Sequence, residues 1–322
     1  MSTSQQTQAV LLLTVWFTKA AKGDPKPLTP TEWGRFAAWL KDHEKSPEAL
    51  LTCADVMDCL EGWLDPTVTP DRLRYLLGRS GALGLALEKW QRAGLWVMTR
   101  SDPDYPSRLK KRLKLEAPPV LFGCGNRRLL DQGGIAVIGS RAASEEDLAY
   151  TSHLGAEIAS QGFSVVSGGA RGVDEAAIAG ALEREGTAVG VLSDSLLRAT
   201  TTAKYRQGLM AKNLALVSPF NPEAGFDVGN AMARNKYVYC LADAAVVVAT
   251  SRESGGTWNG AIEDLKRGWI PLWVKRHDDP DSGNAALVER GAKWLPGGDL
   301  NVSLLASQEP AGRDGGQQQL QF

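Results

Sequence analysis

The sequence has few of the residues that build metal centres and disulfide frameworks. It contains four cysteines and three histidines in 322 residues. No two cysteines stand at CxxC spacing, and the histidines are isolated from them. This pattern argues against a zinc site and against a disulfide framework. We therefore expect no bound metal and four reduced thiols, as in a cytoplasmic protein.

A strong net charge and a long apolar run are absent as well. The 36 basic residues face 37 acidic ones, for a formal net charge of −1, so no global field attracts a polyanion. Any nucleic-acid binding must then come from local clusters of basic residues. Residues 1–17 have no basic segment, and their apolar run is too short to span a bilayer. We expect a soluble cytoplasmic protein that does not bind membranes.

The pattern of apolar residues changes along the chain and predicts two domains. Residues 1–100 carry apolar residues at helical spacing, with Thr29 placed to cap a helix start, which predicts a small helical domain. Further along, β-branched runs bounded by glycine alternate with helical segments. Residues 134–296 are therefore expected to form a doubly wound α/β domain, a mostly parallel sheet covered by helices on both faces. Residues 101–133 connect the two, and the Gly- and Gln-rich residues 297–322 are expected to be disordered.

Three of the predicted strands end in loops of small residues. In a parallel sheet the carboxyl ends of the strands lie along one edge, and each following helix points free N–H groups towards that edge. The first loop, Gly139-Ser140-Arg141, offers a close backbone approach, a hydroxyl and a guanidinium, which together suit a phosphate. The alternative is a structural helix start in which Arg141 pairs with a carboxylate. The dinucleotide pattern GxGxxG is absent, so no nicotinamide cofactor is expected.

The other two loops have the same character. Three glycines within five residues of the second loop indicate a close approach to a ligand more than packing, and Asp174 is placed to cap the next helix. In the third loop, small side chains at a helix start suit a phosphate or a ribose, with a structural βα loop as an equal alternative. The candidate binding residues are Ser167, Gly168, Gly169, Arg171, Gly172 and Asp174 in the second loop, and Ser254, Gly255, Gly256 and Thr257 in the third.

Basic residues outside the loops add further candidates. Arg234, Asn235 and Lys236 lie in a predicted helix, on which Arg234 and Lys236 face different sides, so at most one of these two cations joins the site. Lys204 belongs to a looser basic set. Residues 105–128 carry seven basic residues against one acidic residue. This segment either binds a phosphate backbone or forms a solvated surface between the domains.

Several segments, taken together and in order, resemble the DNA-processing protein A family (DprA, also called Smf). The matching text is LEKWQRAGLWVMTRSDPDYPSRLKK, APPVLFGCGN, IAVIGSRAAS, GFSVVSGGARGVDEAA, ARNKYV, ESGGTWNGAIE and SGNAALVERGA. The resemblance implies an extended Rossmann-like domain that binds single-stranded DNA, often as a homodimer. It further implies that the DNA is handed to the RecA recombinase during natural transformation, after DNA uptake. The family's phosphate-binding motifs map onto residues 139–141, 167–174 and 234–236.

The chain also departs from the family. Ile178 stands where the family usually has a histidine, and Pro219 follows Ser218 where the family has glutamate. The winged-helix module of many members is expected to be missing. A competing interpretation is a nucleotide-binding sensor or a phosphoribohydrolase-like enzyme of the same superfamily, with a role in phage defence conceivable. In such enzymes a catalytic glutamate follows the glycine loop, whereas Glu263 lies one helical turn too far along, which favours binding without catalysis.

The sequence thus predicts a non-enzymatic protein that binds single-stranded DNA without a cofactor. The cations expected to contact successive phosphates are Arg141, Arg171, Lys204 and Arg234. Trp258 and Phe220 are the candidates for stacking on bases. A place in the core is the alternative for both, and it is at least as favoured for Phe220.

Overall fold

A computed structural model describes residues 3–17, 21–53, 55–277 and 282–310. The chain divides into two compact units, of which the first consists of residues 1–124, 194–200 and 218–225, and the second of residues 125–193, 201–217 and 226–322. The first unit is therefore assembled from separate stretches of chain, which the apolar pattern did not indicate. Among the described residues, no helix combines the length and the apolar character that crossing a bilayer requires.

The first unit consists of short helices and an antiparallel pair of strands. Its elements are α1 (Gln5–Thr14), α2 (Pro30–Asp42), α3 (Ala49–Thr52), α4 (Val56–Cys59), α5 (Pro70–Leu77), α6 (Ser80–Arg92), β1 (Trp96–Thr99), α7 (Ser107–Leu113), β2 (Val120–Gly125) and α10 (Leu196–Ala199). Trp96 pairs with Gly123 and Thr99 with Val120. The prediction that residues 1–100 are helical is thus wrong at β1, where the partner strand supplies hydrogen bonds that local spacing cannot reveal.

The helix start predicted at Thr29 is confirmed. The Thr29 hydroxyl accepts from the Glu32 N–H, and the Glu32 carboxylate accepts from the Thr29 N–H at 2.8 Å. Arg72 adds an ion pair to Glu32, with 2.8 Å between Nη1 and Oε1. Burial opposes ionisation of Glu32, but the hydrogen bonds from Arg72 and Thr29 outweigh it and lower its pKa to about 2. The carboxylate thus links α2 to α5 as well as capping α2.

One pair of cysteines contradicts the expectation of four reduced thiols. Cys53 and Cys59 form a disulfide, with their Cα atoms 6.5 Å apart. Cys53 directly follows α3 and Cys59 is the last residue of α4, a proximity that the search for CxxC spacing does not detect. Cys124 and Cys240 are buried thiols outside this pair.

The second unit is a parallel sheet flanked by helices. Its elements are β3 (Ile135–Ile138), α8 (Glu145–Ser160), β4 (Val165–Ser167), α9 (Val173–Glu183), β5 (Ala188–Val191), α11 (Ala203–Ala211), β6 (Leu214–Ser218), α12 (Val228–Leu241), β7 (Ala244–Val247), α13 (Gly255–Arg267), β8 (Leu272–Val274), α14 (Gly283–Glu289), β9 (Lys293–Trp294) and α15 (Val302–Ser307). Every residue of β3, β5, β6 and β7 is buried. Strands buried on both faces require helices on both sides, which confirms the predicted doubly wound α/β class.

The order of the strands locates a natural binding crevice. Within this unit the order is β6-β5-β4-β3-β7-β8-β9, with all neighbours parallel. The chain runs from β3 outwards through β4, β5 and β6, and then continues on the other side of β3 through β7, β8 and β9. Because crossovers are right-handed, the helices after β3 and β7 lie on opposite faces of the sheet. Their loops diverge and leave a crevice at the carboxyl ends of these two strands.

Part of the segment expected to be disordered is folded. The helix α15 buries Val302 and Leu305. The Val302 N–H donates to the Gln161 side chain at 3.0 Å, and the Leu300 N–H donates to Glu157 at 3.2 Å. The polar composition of the segment gave no indication of these two buried apolar residues. The prediction of disorder is therefore wrong for the part that contains α15. Residues 311–322 lie outside the described residues.

Candidate functional site

A crevice of about 330 Å³ opens at the carboxyl ends of β3 and β7. This is the position at which doubly wound sheets bind ligands. The predicted binding residues that line it are Gly139, Ser140, Arg141, Asp174, Arg234, Asn235, Ser254, Gly255, Gly256 and Thr257. The structure thus brings together residues from several distant segments of the chain.

Arg141 presents its guanidinium openly at this crevice. The side chain is exposed, and its Cζ lies 5.2 Å from the ring centroid of Phe226. Within the described parts of the chain, no carboxylate pairs with Arg141 or with Arg171, which is also exposed. The alternative in which Arg141 is held by a carboxylate is therefore not the arrangement in this structure. Both guanidinium groups remain available for an anion.

Arg234 lies beneath the crevice and is only partly satisfied by the protein. It is 5% exposed, and its Nη1 lies 3.5 Å from Oδ2 of Asp174. Its Nε is buried without a hydrogen-bond partner among the described residues. A buried guanidinium with an unused donor beside an open crevice is suited to a ligand oxygen.

Asp174 holds Arg234 and does not cap α9 as predicted. The cap position is Gly172, and Asp174 lies in the first turn, where its carboxylate also accepts from the Ala170 N–H at 3.4 Å. Burial raises the pKa of Asp174, an effect that the charge of Arg234 partly offsets. The carboxylate therefore anchors a cation under the site.

The glycines of the second loop serve packing, not close approach to a ligand as predicted. A Cβ on Gly168 would lie 1.3 Å from Nη1 of Arg234, so only glycine leaves room for the buried pair. Gly172 has a φ of +89°, and a Cβ there would lie 2.6 Å from the Ser140 carbonyl oxygen. Gly169 also has a positive φ, of +66°. None of these three glycines lines the crevice. Gly172 fits the second loop against the first at Ser140, whereas Gly168 leaves room for Arg234.

Helix N-termini supply backbone donors at the same edge. Ser254 is the cap residue of α13, and its side chain makes no capping hydrogen bond. Gly255, Gly256 and Thr257, in the first turn of this helix, all line the crevice. The Asn235 side chain donates to the Gly256 carbonyl at 2.9 Å and ties this turn to α12. The first N–H groups of a helix are free donors and carry partial positive charge, so this turn favours an anion.

Two other predicted residues have partners elsewhere in the fold. The Ser167 hydroxyl is buried and donates to the Val137 carbonyl at 2.6 Å. Lys204 forms an ion pair with Glu175. Neither residue lines the crevice. The polar group of each interacts instead with a residue that is distant in the sequence.

Lys236 and the aromatic candidates also differ from expectation. Lys236 does not line the crevice, and its Nζ lies 5.4 Å from the Tyr237 ring centroid. Trp258 is 4% exposed, so its ring is not open to a base, and the prediction of stacking there is wrong. Its position on α13 turns it into the core. Phe220 belongs to the first unit.

Two exposed apolar residues of the crevice were not among those predicted from the sequence. Phe226 is 59% exposed and Val228 is 65% exposed, and both line the crevice beside Arg141. Asp227 between them caps α12 by accepting from the Asn230 N–H at 2.8 Å. Apolar side chains on either side of a helix-capping aspartate are the signal that could have identified this open surface.

Comparisons with known proteins agree with this fold. Residues 96–304 match the family model of DNA recombination-mediator protein A. DNA processing protein DprA of Bacillus subtilis (strain 168) is 27% identical over 213 residues, which cover 65% of this chain and 71% of that protein. A DNA processing protein DprA of Mycobacterium tuberculosis is 31% identical over 183 residues, covering 52% of this chain and 46% of that one.

Two solved structures resemble the chain. DNA processing protein A from Streptococcus pneumoniae has a TM-score of 0.70 at 21% identity, covering 92% of this chain and 95% of that chain, and this likeness concerns the fold. DNA processing protein A from Helicobacter pylori has a TM-score of 0.54 at 26% identity, covering 66% of this chain and 95% of that chain. The family model spans well over half of the sequence and includes every loop of the crevice. This chain belongs to the DNA recombination-mediator protein A family.

Proposed function

We propose that this protein binds single-stranded DNA along the crevice edge of its parallel sheet. The observation that carries the proposal is the buried guanidinium of Arg234, whose Nε has no partner among the described residues, at a crevice that Arg141 also lines. The first turn of α13, which the Ser254 side chain does not cap, contributes backbone N–H groups to the same space. These groups together suit a phosphate that is held from several sides.

A polymer fits the surroundings better than a free phosphate. Arg171 is exposed and unpaired within the described residues, and it follows β4, the neighbour of β3. Neighbouring β-strands lie about 4.8 Å apart. Cations on adjacent loops can therefore contact adjacent phosphates of one DNA strand. The protein as a whole is almost neutral, and the attraction to the backbone is therefore local to this edge.

Exposed aromatic surface beside the cations favours single-stranded over double-stranded DNA. The Phe226 ring is open to solvent and lies against the Arg141 guanidinium. An unpaired base can stack on such a ring, whereas a base in a duplex already stacks on its neighbours. Phe226, and not the buried Trp258, is therefore the proposed stacking residue.

The same geometry favours binding without catalysis. In the part of the chain that the structure describes, Asp174 is the one carboxylate that lines the crevice, and it is buried and paired with Arg234. Glu263 does not line the crevice. A general base has to reach the reacting group, and neither carboxylate is placed to do so.

The proposal extends to the wider role of the family. The H. pylori relative has a described mode of binding single-stranded DNA. By membership of the same family, we propose that this protein protects incoming single strands, presents them to a RecA-type recombinase and acts as a homodimer.

A titration of labelled oligonucleotides tests DNA binding. At about 0.1 M salt we expect Arg141→Ala to weaken binding to a labelled oligothymidylate more than tenfold, measured by fluorescence anisotropy. The slope of affinity against salt should fall by nearly one unit, because one phosphate contact is lost. Arg184→Ala is the matched control, since this exposed arginine lies at the end of α9 and does not line the crevice.

Competitors separate the candidate ligands. Unlabelled single strands should displace the probe, and duplexes of the same length should do so poorly. Unchanged affinity of Arg141→Ala would contradict the proposal. Displacement by nucleoside monophosphates as effective as by oligonucleotides would instead indicate the nucleotide-binding alternative.

A further inference from the structure

The first unit contains a second cavity, of about 640 Å³, that the proposed function does not use. Its volume lies within the range of small-molecule sites, about 300–1,000 Å³. The cavity is bounded by α1, α2, the loop that follows α2, and the chain after β1. Most of its lining residues precede Trp96, where the match to the family model begins. The cavity is therefore formed mainly by the part of the first unit that precedes this match.

The helix α2 forms one wall of the cavity. Ala37 and Ala38 line it with small side chains, and Trp33 and Leu40, which are almost fully buried, line it as well. The indole N–H of Trp33 donates to none of the described residues. An aromatic ring with a free donor in the wall suits a flat ligand that carries an acceptor.

Arg100 is the cation positioned to hold such a ligand. It follows the last residue of β1, is half-buried, and lines the cavity. Its backbone is fixed, because its N–H donates to the Pro119 carbonyl at 3.1 Å and the adjacent Thr99 hydroxyl donates to Asp102 at 2.9 Å. No described residue forms an ion pair or hydrogen bond with its guanidinium. An unpaired guanidinium can bind a carboxylate or phosphate through two parallel hydrogen bonds.

The remaining charges at the cavity favour an anion as well. Lys41 and Lys45 line it together with Arg100, against one acidic lining residue, Glu44. Lys45 is already engaged, since its Nζ donates to the Cys59 carbonyl at 2.7 Å. Lys41 is exposed at the rim. The local excess of positive charge attracts anions into the cavity and disfavours cations.

We propose that this cavity binds a small aromatic anion, with its flat apolar body against Trp33 and its carboxylate or phosphate group on Arg100. The site is separate from the crevice of the second unit, and its occupant is a small molecule and not a nucleic-acid strand. Through this cavity of the first unit, the protein would then sense a metabolite of this class.

Titration with anilinonaphthalene sulfonate, a fluorescent aromatic anion, tests the proposal on the intact chain. We expect saturable binding at one site. Arg100→Gln should weaken it about tenfold, the loss that corresponds to one charge-assisted hydrogen-bonded contact. Ala37→Phe should abolish it by filling the space. Arg92→Gln is the matched control, because this exposed arginine of α6 does not line the cavity.

Two further measurements make the outcome decisive. Benzoate should displace the dye from the unaltered protein, whereas benzyl alcohol, its neutral counterpart, should not; this comparison does not depend on any variant folding. Affinity for single-stranded DNA should stay unchanged in Arg100→Gln and Ala37→Phe, which separates this proposal from the proposed function. Equal dye binding by all variants, or equal displacement by benzoate and benzyl alcohol, would overturn it.

Discussion

Replacing Arg234 by methionine tests how the crevice is built. Both side chains of the Arg234–Asp174 pair are 6% exposed, and the substitution leaves a carboxyl group buried without its cation. Removing one partner of a buried pair costs about 3–5 kcal/mol. The contact is long, at 3.5 Å, and Asp174 keeps the N–H of Ala170 as a donor. We therefore expect a loss near the lower end, about 3 kcal/mol of unfolding free energy at neutral pH.

The loss should depend on pH in a defined direction. Burial already raises the pKa of Asp174, with Arg234 opposing the rise, and Arg234→Met removes that opposition. A carboxyl group whose pKa is higher in the folded than in the unfolded state makes its full contribution to the free energy of unfolding below the unfolded pKa. This contribution is lost as the pH rises through the folded pKa. The variant should therefore be closest to the unaltered protein near pH 4 and fall progressively behind as the pH increases.

Urea unfolding followed by circular dichroism between pH 4 and pH 8 measures this loss. The double variant Asp174→Asn/Arg234→Met should regain most of the stability, because no buried charge remains. It should not regain affinity for single-stranded DNA, because the donors of Arg234 are gone. A stability of Arg234→Met within about 0.5 kcal/mol of the unaltered protein at every pH would refute the reasoning.

Two predictions concern other residues. Phe226→Ala should reduce affinity for an oligothymidylate by about 1–3 kcal/mol in an anisotropy titration, while Phe226→Tyr retains it; a loss of the same size with an abasic oligonucleotide would exclude stacking as the cause. Burial opposes ionisation of Glu32, but hydrogen bonds from Arg72 and Thr29 outweigh it and lower the pKa of Glu32 to about 2. The ionised carboxylate therefore stabilises the fold above its unfolded pKa, and this contribution is lost as the pH falls towards 2. Glu32→Gln should therefore be less stable at pH 7 by about 1–2 kcal/mol and lose less stability than the unaltered protein between pH 5 and pH 2 in acid unfolding; identical acid profiles would contradict this.

The features that local sequence encodes were predicted well. Glycine-bounded β-branched runs identified the parallel strands, and the hydroxyl of Thr29 identified the start of α2. The loops after β3 and β7 were placed at one edge because parallel strands share the direction of their carboxyl ends. Local chemistry and the rules of sheet topology thus suffice for the architecture and for the position of the crevice.

The features that depend on distant partners were not predicted. The role of Gly168 is set by the Arg234 side chain that occupies the place of its Cβ, and Lys204 is drawn to Glu175. The burial of Trp258 depends on how α13 packs in the fold. Each of these facts is a contact across tens of residues, which composition and periodicity do not carry.

The discontinuous make-up of the first unit has a consequence for its synthesis. Its last segment, residues 218–225, supplies Asn221, whose side chain donates to the Trp16 carbonyl at 2.5 Å, and Glu223, which pairs with Lys89. Residues 1–124 emerge from the ribosome well before Asn221 and Glu223 have been synthesised. The module at the amino terminus therefore completes its folding only after translation has passed residue 225, in contrast to the usual order in which the earliest domain folds first.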